Sequence, residues 1–572
     1  AIYKNLLKDK LIHIKSCHNS QNSLVYSVNK KISKLSKKQD QVLKKITLNQ
    51  KQNNSYLLHG ITGSGKTEIY IHLCFQIFNA GKSTIILVPE IILTNQMVEK
   101  FKSIFYDNVI TWHSKISTKQ KKTYFQQITG NKQCIIIGTR SALFLPLKNL
   151  GLLIVDEEHD VSYKQEGQSP HYNARDVALV RARHAGATIV LGSATPSIES
   201  YYNTTTNKLS LLELKERYGQ SVEPEIKVVD MQTQKYSATG KQKVLSQYLI
   251  DHIFKVLDKK EQAILLYNRR GFSLSMQCTI CNEYIYCPKC NITLTYHKHR
   301  NQLLCHYCNN VETIAATCMH CESNKLQYSG LGIQHIEEIL NKIFTDYRVL
   351  RIDSDVKSIK DTSQKLKNFE SQKYHILLGT QMITKGHDFS NVTLVGIINA
   401  DHGLYLPDFR SGENVFQMIS QVIGRSGRRN KKAMAIIQTN NYKDQYIQYA
   451  KLNKFDKYYQ LEANNRKALN YPPFSRLIRI IFSGIHQKNT LSISKEIANK
   501  IKLEHTYEVF GPFSAIIEKI NKQWRYHILI KAKKTGENKF QKLFINQFGL
   551  SFIERPYKGI KIKIDIDPFS MF

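Results

Sequence analysis

Long hydrophobic runs are missing from this 572-residue chain; the longest, such as Thr84 to Pro89 and Leu394 to Asn399, stop far short of the roughly 18 residues that cross a bilayer. No membrane span is expected. The opening AIYKNLLKDKLIHIK also lacks a continuous apolar core followed by a small-residue cleavage site, so it does not read as a secretory signal, and a cytoplasmic location is expected. Acidic residues are scarce, 46 against 82 lysines and arginines, and the resulting charge of +36 favours a polyanionic partner, nucleic acid or an anionic membrane surface. A composition this rich in Lys, Asn, Ile and Tyr would also follow from A/T-rich coding, so motifs weigh more than bulk charge. Internal repetition is absent apart from a CxxC unit, and only Cys17, Cys74 and Cys134 lie outside one cysteine-rich stretch. Those three read as buried apolar thiols.

At about 150 residues per domain the chain has room for roughly three or four. Residues 1 to 34 are Lys/Ser/Asn-rich with a weak apolar pattern and read as a remnant or linker. From Leu35, apolar runs bounded by glycine (SYLLHG, STIILVPE, CIIIGT, LGLLIVDEE, ATIVLGSAT) alternate with helical stretches, the pattern of βα units on a buried parallel sheet. A connector is expected over 206–262. A second βα series follows over 263–440 (QAILLYNRRG, YRVLRID, YHILLGT, VTLVGIINA, AMAIIQT), interrupted by the cysteine-rich insert 278–321. Residues 441–572 read as an α+β C-terminal domain. The expected class is α/β with two such lobes, the first over 35–205.

Residues 60 to 67, GITGSGKT, satisfy G-x-x-x-x-G-K-[ST] between an apolar strand and a helical pattern. Gly60, Thr62, Gly63, Ser64 and Gly65 would present backbone N–H groups to phosphates at a helix N-terminus. Lys66 would neutralise β/γ-phosphate charge, and the Thr67 hydroxyl would hold Mg2+. A second half of the site is LLIVDEEHD, where a strand ends in carboxylates at the edge used by ligands in open α/β sheets. Asp156 is the candidate for Mg2+ contact and Glu157 for orienting the attacking water.

Four CxxC pairs occupy the insert: Cys278/Cys281, Cys287/Cys290, Cys305/Cys308 and Cys318/Cys321. Eight thiolates suit two closed, structural Zn2+ sites, with three ways to pair the four hairpins. Nothing supports the oxidising compartment that a disulfide framework needs. With eight cysteines in register, His297, His299, His306 and His320 are not expected to be ligands.

DEEH at Asp156, GSAT at Gly192, GTQMITKGHDF from Gly379 and QVIGRSGR from Gln421 resemble the ordered motifs of superfamily 2 helicases. GITGSGKTEIY, VPEIILT, GTRSALFLP, DEEHDVSYKQE, YNARDVA, NRRGF and the CxxC pairs narrow the resemblance to the PriA family of bacterial replication-restart helicases, from about Leu35 to the terminal DIDPF. The resemblance implies two RecA-like lobes closing on ATP, with Arg425 and Arg428 reaching the γ-phosphate, Gln421 and Gly386 lining the interface, and Gln39 reading adenine. It implies nested zinc pairing, Cys287, Cys290, Cys305 and Cys308 on one ion and Cys278, Cys281, Cys318 and Cys321 on the other. It also implies 3′-to-5′ unwinding of single-stranded and forked DNA, a C-terminal DNA-binding domain, and primosome proteins, the replicative helicase loader and single-strand-binding protein as partners. The family's 3′-end-binding domain and winged helix exceed what 34 residues hold, so 3′-end recognition is not carried over.

Between the helicase motifs, VSYKQEGQSPHYNARDVA interleaves Tyr163 and Tyr172 with Lys164, His171 and Arg175. Bases could stack on the tyrosines while the cations follow phosphates. In the family this loop senses DNA and signals to the ATP site, and departures near Gln168 and His171 imply weaker coupling. Two other readings remain: a primosome-assembly platform with a dispensable motor, and an RNA helicase.

Overall fold

The computed structural model describes residues 32–48, 54–89, 94–130, 132–167, 170–217, 224–233, 244–267, 276–278, 280–281, 283–288, 293–297, 302–305, 310–313, 317–328, 333–352, 359–380, 389–406, 408–424, 433–503, 507–533, 557 and 559–570. Cys17, Gln168, Gly386, Arg425 and Arg428 lie outside the described residues.

The first lobe contains β1 (Ser55–Gly60), β2 (Ser83–Leu87), β3 (Val109–Trp112), β4 (Ile135–Gly138), β5 (Leu150–Asp156), β6 (Thr188–Ser193) and β7 (Ser210–Leu214). They pair in parallel in the order β3-β4-β2-β5-β6-β1-β7. Its helices are α1 (Lys37–Leu48), α2 (Lys66–Asn79), α3 (Thr94–Phe105), α4 (Thr118–Thr129), α5 (Ala174–Ala185) and α6 (Ile198–Thr205). Alternate strand residues fill two cores, as a sheet covered on both faces requires. Leu58, Ile86, Ile154 and Val190 meet Ile69 and Leu73 of α2 on one face. Leu57, Ile85, Leu153 and Ile189 meet Ala178 and Ala182 of α5 on the other.

The second lobe is also parallel. It contains β8 (Glu225–Asp230), α7 (Gln247–Asp258) and β9 (Gln262–Tyr267). Five short insert strands follow: β10 (Met276–Cys278), β11 (Thr295–His297), β12 (Gln302–Leu304), β13 (Val311–Thr313) and β14 (Leu326–Tyr328). The lobe resumes with α8 (Ile333–Ile343), β15 (Val349–Ile352), α9 (Ile359–Glu370), β16 (Ile376–Gly379), β17 (Val392–Ile398), α10 (Ser411–Ile423) and β18 (Met434–Thr439). Its sheet order is β15-β16-β9-β17-β18-β8.

Residues 206–262 are not a bare connector. β7 forms an edge of the first sheet, β8 an edge of the second, and α7 packs Leu249, Ile253 and Leu257 into the second core. Likewise α11 (Gln445–Lys451) and α12 (Phe455–Ala468) join the lobe core through Ile447, Ala450, Phe455 and Tyr458. The C-terminal sheet proper holds β19 (Ser475–Gly484), β20 (Tyr507–Ile520), β21 (Gln523–Lys533) and β22 (Ile560–Ile566), antiparallel in the order β20-β21-β19-β22. Helix α13 (Gln487–Lys502) covers one face through Ile497, Ala498 and Ile501. Among the described residues no helix is long and apolar enough to cross a membrane.

Candidate ATP site and metal centre

Three motifs meet at the carboxyl edge of the first sheet because β5, β6 and β1 are neighbours there. β1 ends at Gly60, and the turn into α2 takes Gly63 to φ 81° and Gly65 to φ 82°, a left-handed region that suits glycine. No side chain caps α2, so the N–H groups of Lys66 and Thr67 remain available for an anion. Lys66 Nζ donates to the Gly60 carbonyl at 2.7 Å. Gln39 is buried, accepts from the Ser36 N–H at 2.8 Å and donates to the Ser64 carbonyl at 2.9 Å. Beside it Ser36, Lys38, Leu214, Glu216 and Arg217 help line a cavity of about 370 Å³. Ser64 Oγ is buried with no hydrogen-bond partner.

β5 ends at Asp156, whose Oδ1 accepts from the Tyr70 hydroxyl at 2.9 Å. Burial and the neighbouring Glu157 charge push the Asp156 carboxyl up to about 6, against the pull of Lys66 and Tyr70. Glu157 stands at φ 48°, and its buried Oε2 has no hydrogen-bond partner. Two adjacent carboxylates, one of them close enough to Lys66 to feel its charge, are a donor set that suits a hard divalent cation. At the end of β6, a Cβ on Gly192 would fall 1.8 Å from the Tyr70 hydroxyl, which explains glycine in that motif.

The second lobe presses α10 onto this edge. Gln421 Nε2 lies 2.5 Å from His159 Nε2, while His159 Nδ1 lies 2.7 Å from Ser193 Oγ. Gln417 Nε2 donates to the Thr195 carbonyl at 3.4 Å. A Cβ on Gly424 would come within 2.4 Å of Thr62 Oγ1, so the residue preceding Arg425 sits directly on the phosphate loop. A cavity of about 140 Å³ remains between the lobes, lined by Thr62, Thr195, Ser420 and Gly424 among others. Thr195 Oγ1 and Ser420 Oγ are buried without hydrogen-bond partners.

In the insert, the Sγ atoms of Cys278, Cys281, Cys318 and Cys321 all lie within 4.8 Å of one another. Cys278 to Cys321 and Cys281 to Cys318 are each 3.6 Å. Four zinc–sulfur bonds of about 2.3 Å arranged tetrahedrally give sulfur separations of about 3.8 Å, so the four thiols fit Zn2+. The N–H groups of Ile280 and His320 approach Cys278 and Cys318 Sγ at 3.4 and 3.5 Å. Burial opposes charge on Cys278, but the Cys281 and Ile280 N–H groups outweigh it and hold the thiol down at about 7. Of the three pairings open to the sequence, the structure places the outer two hairpins together. Cys287 and Cys305 are buried in one small core with Met276, Leu294 and Leu303; Cys290 and Cys308 lie outside the described residues. The closing bond is common to three turns: Cys278, Cys305 and Cys318 N–H donate to the carbonyls of Glu283, Asn310 and Ser323 at 2.9, 2.9 and 2.7 Å.

Residues 36–204 match the DEAD/DEAH box helicase family, 287–312 the PriA DNA helicase Cys-rich region and 467–569 the primosomal protein N C-terminal domain. The chain is 42% identical over 533 residues to replication restart protein PriA of Chlamydia pneumoniae, covering 92% of this chain and 70% of that protein. The chain belongs to the PriA family. Against PriA of Rickettsia prowazekii (strain Madrid E) it is 39% identical, covering 95% of this chain and 82% of the relative. Against PriA of Bacillus subtilis (strain 168) it is also 39% identical over 92% of this chain, but it spans only 65% of that relative's length.

The loop that the PriA resemblance assigns to DNA sensing differs from expectation. Tyr163 is fully buried and its hydroxyl lies 2.6 Å from the Asp156 carbonyl and 3.0 Å from that of Leu87, so no base can stack on it. Lys164 is buried too, with its ammonium 2.8 Å from Asp565 Oδ1, and it cannot follow a phosphate backbone. Arg175 is held by Glu158, Ser197 and Asp176 at 3.2, 2.8 and 3.0 Å. Its charge is neutralised internally. Tyr172 is half-buried, packed edge-on to the exposed Phe144 with ring centroids 5.2 Å apart.

Two features escaped sequence reasoning. Glu158, read only as part of DEEH, is buried and accepts from Ser197 N and Oγ and from Ser200 Oγ at 2.7, 3.0 and 2.7 Å, fixing the start of α6. Its only sequence signal is an extra acid inside the motif. A buried ion cluster also joins the lobes: Arg466 bonds Glu462, Glu413 and Glu199 at 2.7, 2.7 and 3.2 Å, and Arg410 bonds Glu199 and Glu413 at 2.7 and 3.2 Å. Burial opposes the Glu199 charge, but Arg410 and Arg466 outweigh it and hold the carboxyl down at about 2. Glu413 Oε1 also accepts from the Ile198 N–H at 3.1 Å, tying α10 to α6.

Proposed function

We propose that this chain is an ATP-hydrolysing DNA helicase of replication restart, which moves 3′ to 5′, remodels stalled forks and promotes reloading of the replicative helicase in the cytoplasm. The observation that carries this reading is the closed cleft, in which Gly424 and Gln421 meet Thr62 and His159 while hydroxyls and a carboxylate oxygen around them lack partners. An ATP phosphate chain would accept from the hydroxyls, and the carboxylate oxygen would accept from a water beside it. Lys66 would exchange the Gly60 carbonyl for β/γ-phosphate oxygens, joined by N–H groups of Gly63, Gly65 and Thr67. The cavity beside Gln39 is suited to adenine.

Thr67 and Asp156 are the residues that would hold Mg2+, which when bound neutralises charge on the transferred phosphate. Glu157, with a buried oxygen that makes no hydrogen bond, would orient the attacking water. Arg425 and Arg428, directly beyond Gly424, would stabilise charge from the other lobe, with Gly386 and Gln421 completing the interface. Two Zn2+ per chain are proposed, the second held by Cys287, Cys290, Cys305 and Cys308; the shared turn geometry of Cys305 supports it. Both would be structural, since four thiolates close each coordination sphere. Primosome proteins, the helicase loader and single-strand-binding protein are the proposed partners.

The deciding experiment compares ATP hydrolysis with no nucleic acid, single-stranded DNA, forked DNA and RNA, alongside fork unwinding with and without ATP. DNA should stimulate hydrolysis most and unwinding should require ATP. Greater stimulation by RNA, or strand separation without ATP, would overturn the assignment.

A further inference from the structure

The loop that follows DEEH is gripped from two sides. On the first-lobe side, the Tyr163 hydroxyl meets the Asp156 carbonyl at 2.6 Å and Ser162 Oγ donates to the Pro89 carbonyl at 2.9 Å. Arg140 Nη1 donates to the carbonyls of Ser162 and Lys164 at 3.1 and 2.8 Å. On the other side stands β22 of the C-terminal sheet. Lys164 Nζ donates to the Ile566 carbonyl at 2.6 Å and faces Asp565 Oδ1 at 2.8 Å, an electrostatic contact beside a directed hydrogen bond. Lys563 Nζ donates to the Glu166 carbonyl. Asp565 is completely buried, and its second oxygen accepts from Arg479 Nη2 at 3.3 Å.

A lysine and an aspartate this deeply buried lose their hydration, so the pair contributes little net stability, yet separating it leaves a buried charge and costs several kcal/mol. The contact therefore specifies position. It fixes the register of residues 161–166, whose Tyr163 hydroxyl bonds the carbonyl of Asp156. We propose that Asp565, acting through Lys164, is a positioning residue for ATP hydrolysis, so that the C-terminal domain sets the orientation of the Asp156–Glu157 pair and reports its own DNA contacts to it. The proposal rests on the reading of the chain as a DNA-stimulated ATPase.

The face that bears Asp565 suggests how DNA would act. Strand pairing sets Arg525 and Lys561 on either side of Ser483, and Lys563 beside Ile481, all on the face opposite α13. Cations crowded across adjacent strands repel one another, and a polyanion relieves that repulsion. Lys563 belongs to this face and also grips Glu166. A DNA phosphate that draws its ammonium away removes one of the two holds on the loop.

The test is Lys164→Met, which keeps the length of the side chain and leaves Asp565 paired with Arg479. DNA stimulation of hydrolysis should fall roughly tenfold while ATP-analogue affinity stays within about twofold, the size of a typical coupling between sites. Amide exchange across residues 161–166 should accelerate. Asp565→Asn should give the same defect, and the double variant should be no worse than either single. Wild-type stimulation and exchange in folded Lys164→Met, or additive defects, would overturn the proposal. If the wild type hydrolyses no ATP with any nucleic acid, the functional reading fails instead, and amide exchange still decides whether the clamp exists.

Discussion

The phosphate loop and the segment from Val161 to Asp176 both present charged and hydroxyl side chains that sequence reading assigns to a ligand. In the first, Lys66 rests on a backbone carbonyl, and Ser64 Oγ and nearby Glu157 Oε2 are buried without hydrogen bonds. In the second, Lys164 and Arg175 face buried carboxylates, Asp565 and Glu158, and Tyr163 bonds the main chain. The difference separates a site open to a ligand from a joint that is already complete. A cation beside a weak partner and orphaned neighbours is available to substrate, whereas one desolvated against its own counter-ion holds parts of the protein together.

The sharpest way to break that contrast is Lys66→Ala. It should reduce DNA-stimulated ATP turnover by about two to three powers of ten, the usual loss for a donor aimed at developing charge, while the unfolding midpoint stays put. Arg466→Met attacks the completed kind of site instead, leaving Glu199 and Glu413 to Arg410 and Glu462 to the Tyr446 hydroxyl. Urea unfolding should show a loss of about 3–5 kcal/mol.

Asp156→Asn should do the opposite to stability. The folded carboxyl titrates near 6, above the ordinary 3.8, so its ionised form destabilises the fold at neutral pH, and that penalty disappears as pH falls through 6 toward 4. The variant should be inactive yet more stable than wild type at pH 8 by about 1–3 kcal/mol, with the gap closing at low pH in thermal scans. The smallest effects divide the two tyrosines. Tyr163→Phe should cost about 1 kcal/mol of stability. Tyr172→Ala should leave stability within about 0.5 kcal/mol but weaken single-stranded DNA binding, measured by fluorescence anisotropy, by about 1–3 kcal/mol.

Much of the architecture was readable because buried parallel strands announce themselves as apolar runs; SYLLHG, LGLLIVDEE, YHILLGT and VTLVGIINA coincide with β1, β5, β16 and β17. The edge strands β7 and β8 were not. β7, SLLEL, and β8, EIKVVD, alternate apolar with charged residues and each has one sheet neighbour, so they passed for a connector. The phosphate loop and the outer cysteine set were legible because their chemistry demands particular residues at fixed short spacings. Glu158 hid inside a motif that accounted for its neighbours. The Arg466 cluster unites residues from α6, α10 and α12, and no local pattern marks a charge whose counter-ion is more than two hundred positions away, as Glu199 is. For the same reason Lys164 looked like a solvated cation, because Asp565 lies near the far end of the chain.

The bare backbone of Gly424 against Thr62 has a mechanical corollary. Even a methyl group there would act as a doorstop, propping the two halves of the motor apart. Such a protein should still load nucleotide on its first half but never squeeze it, a machine stalled with fuel in the chamber.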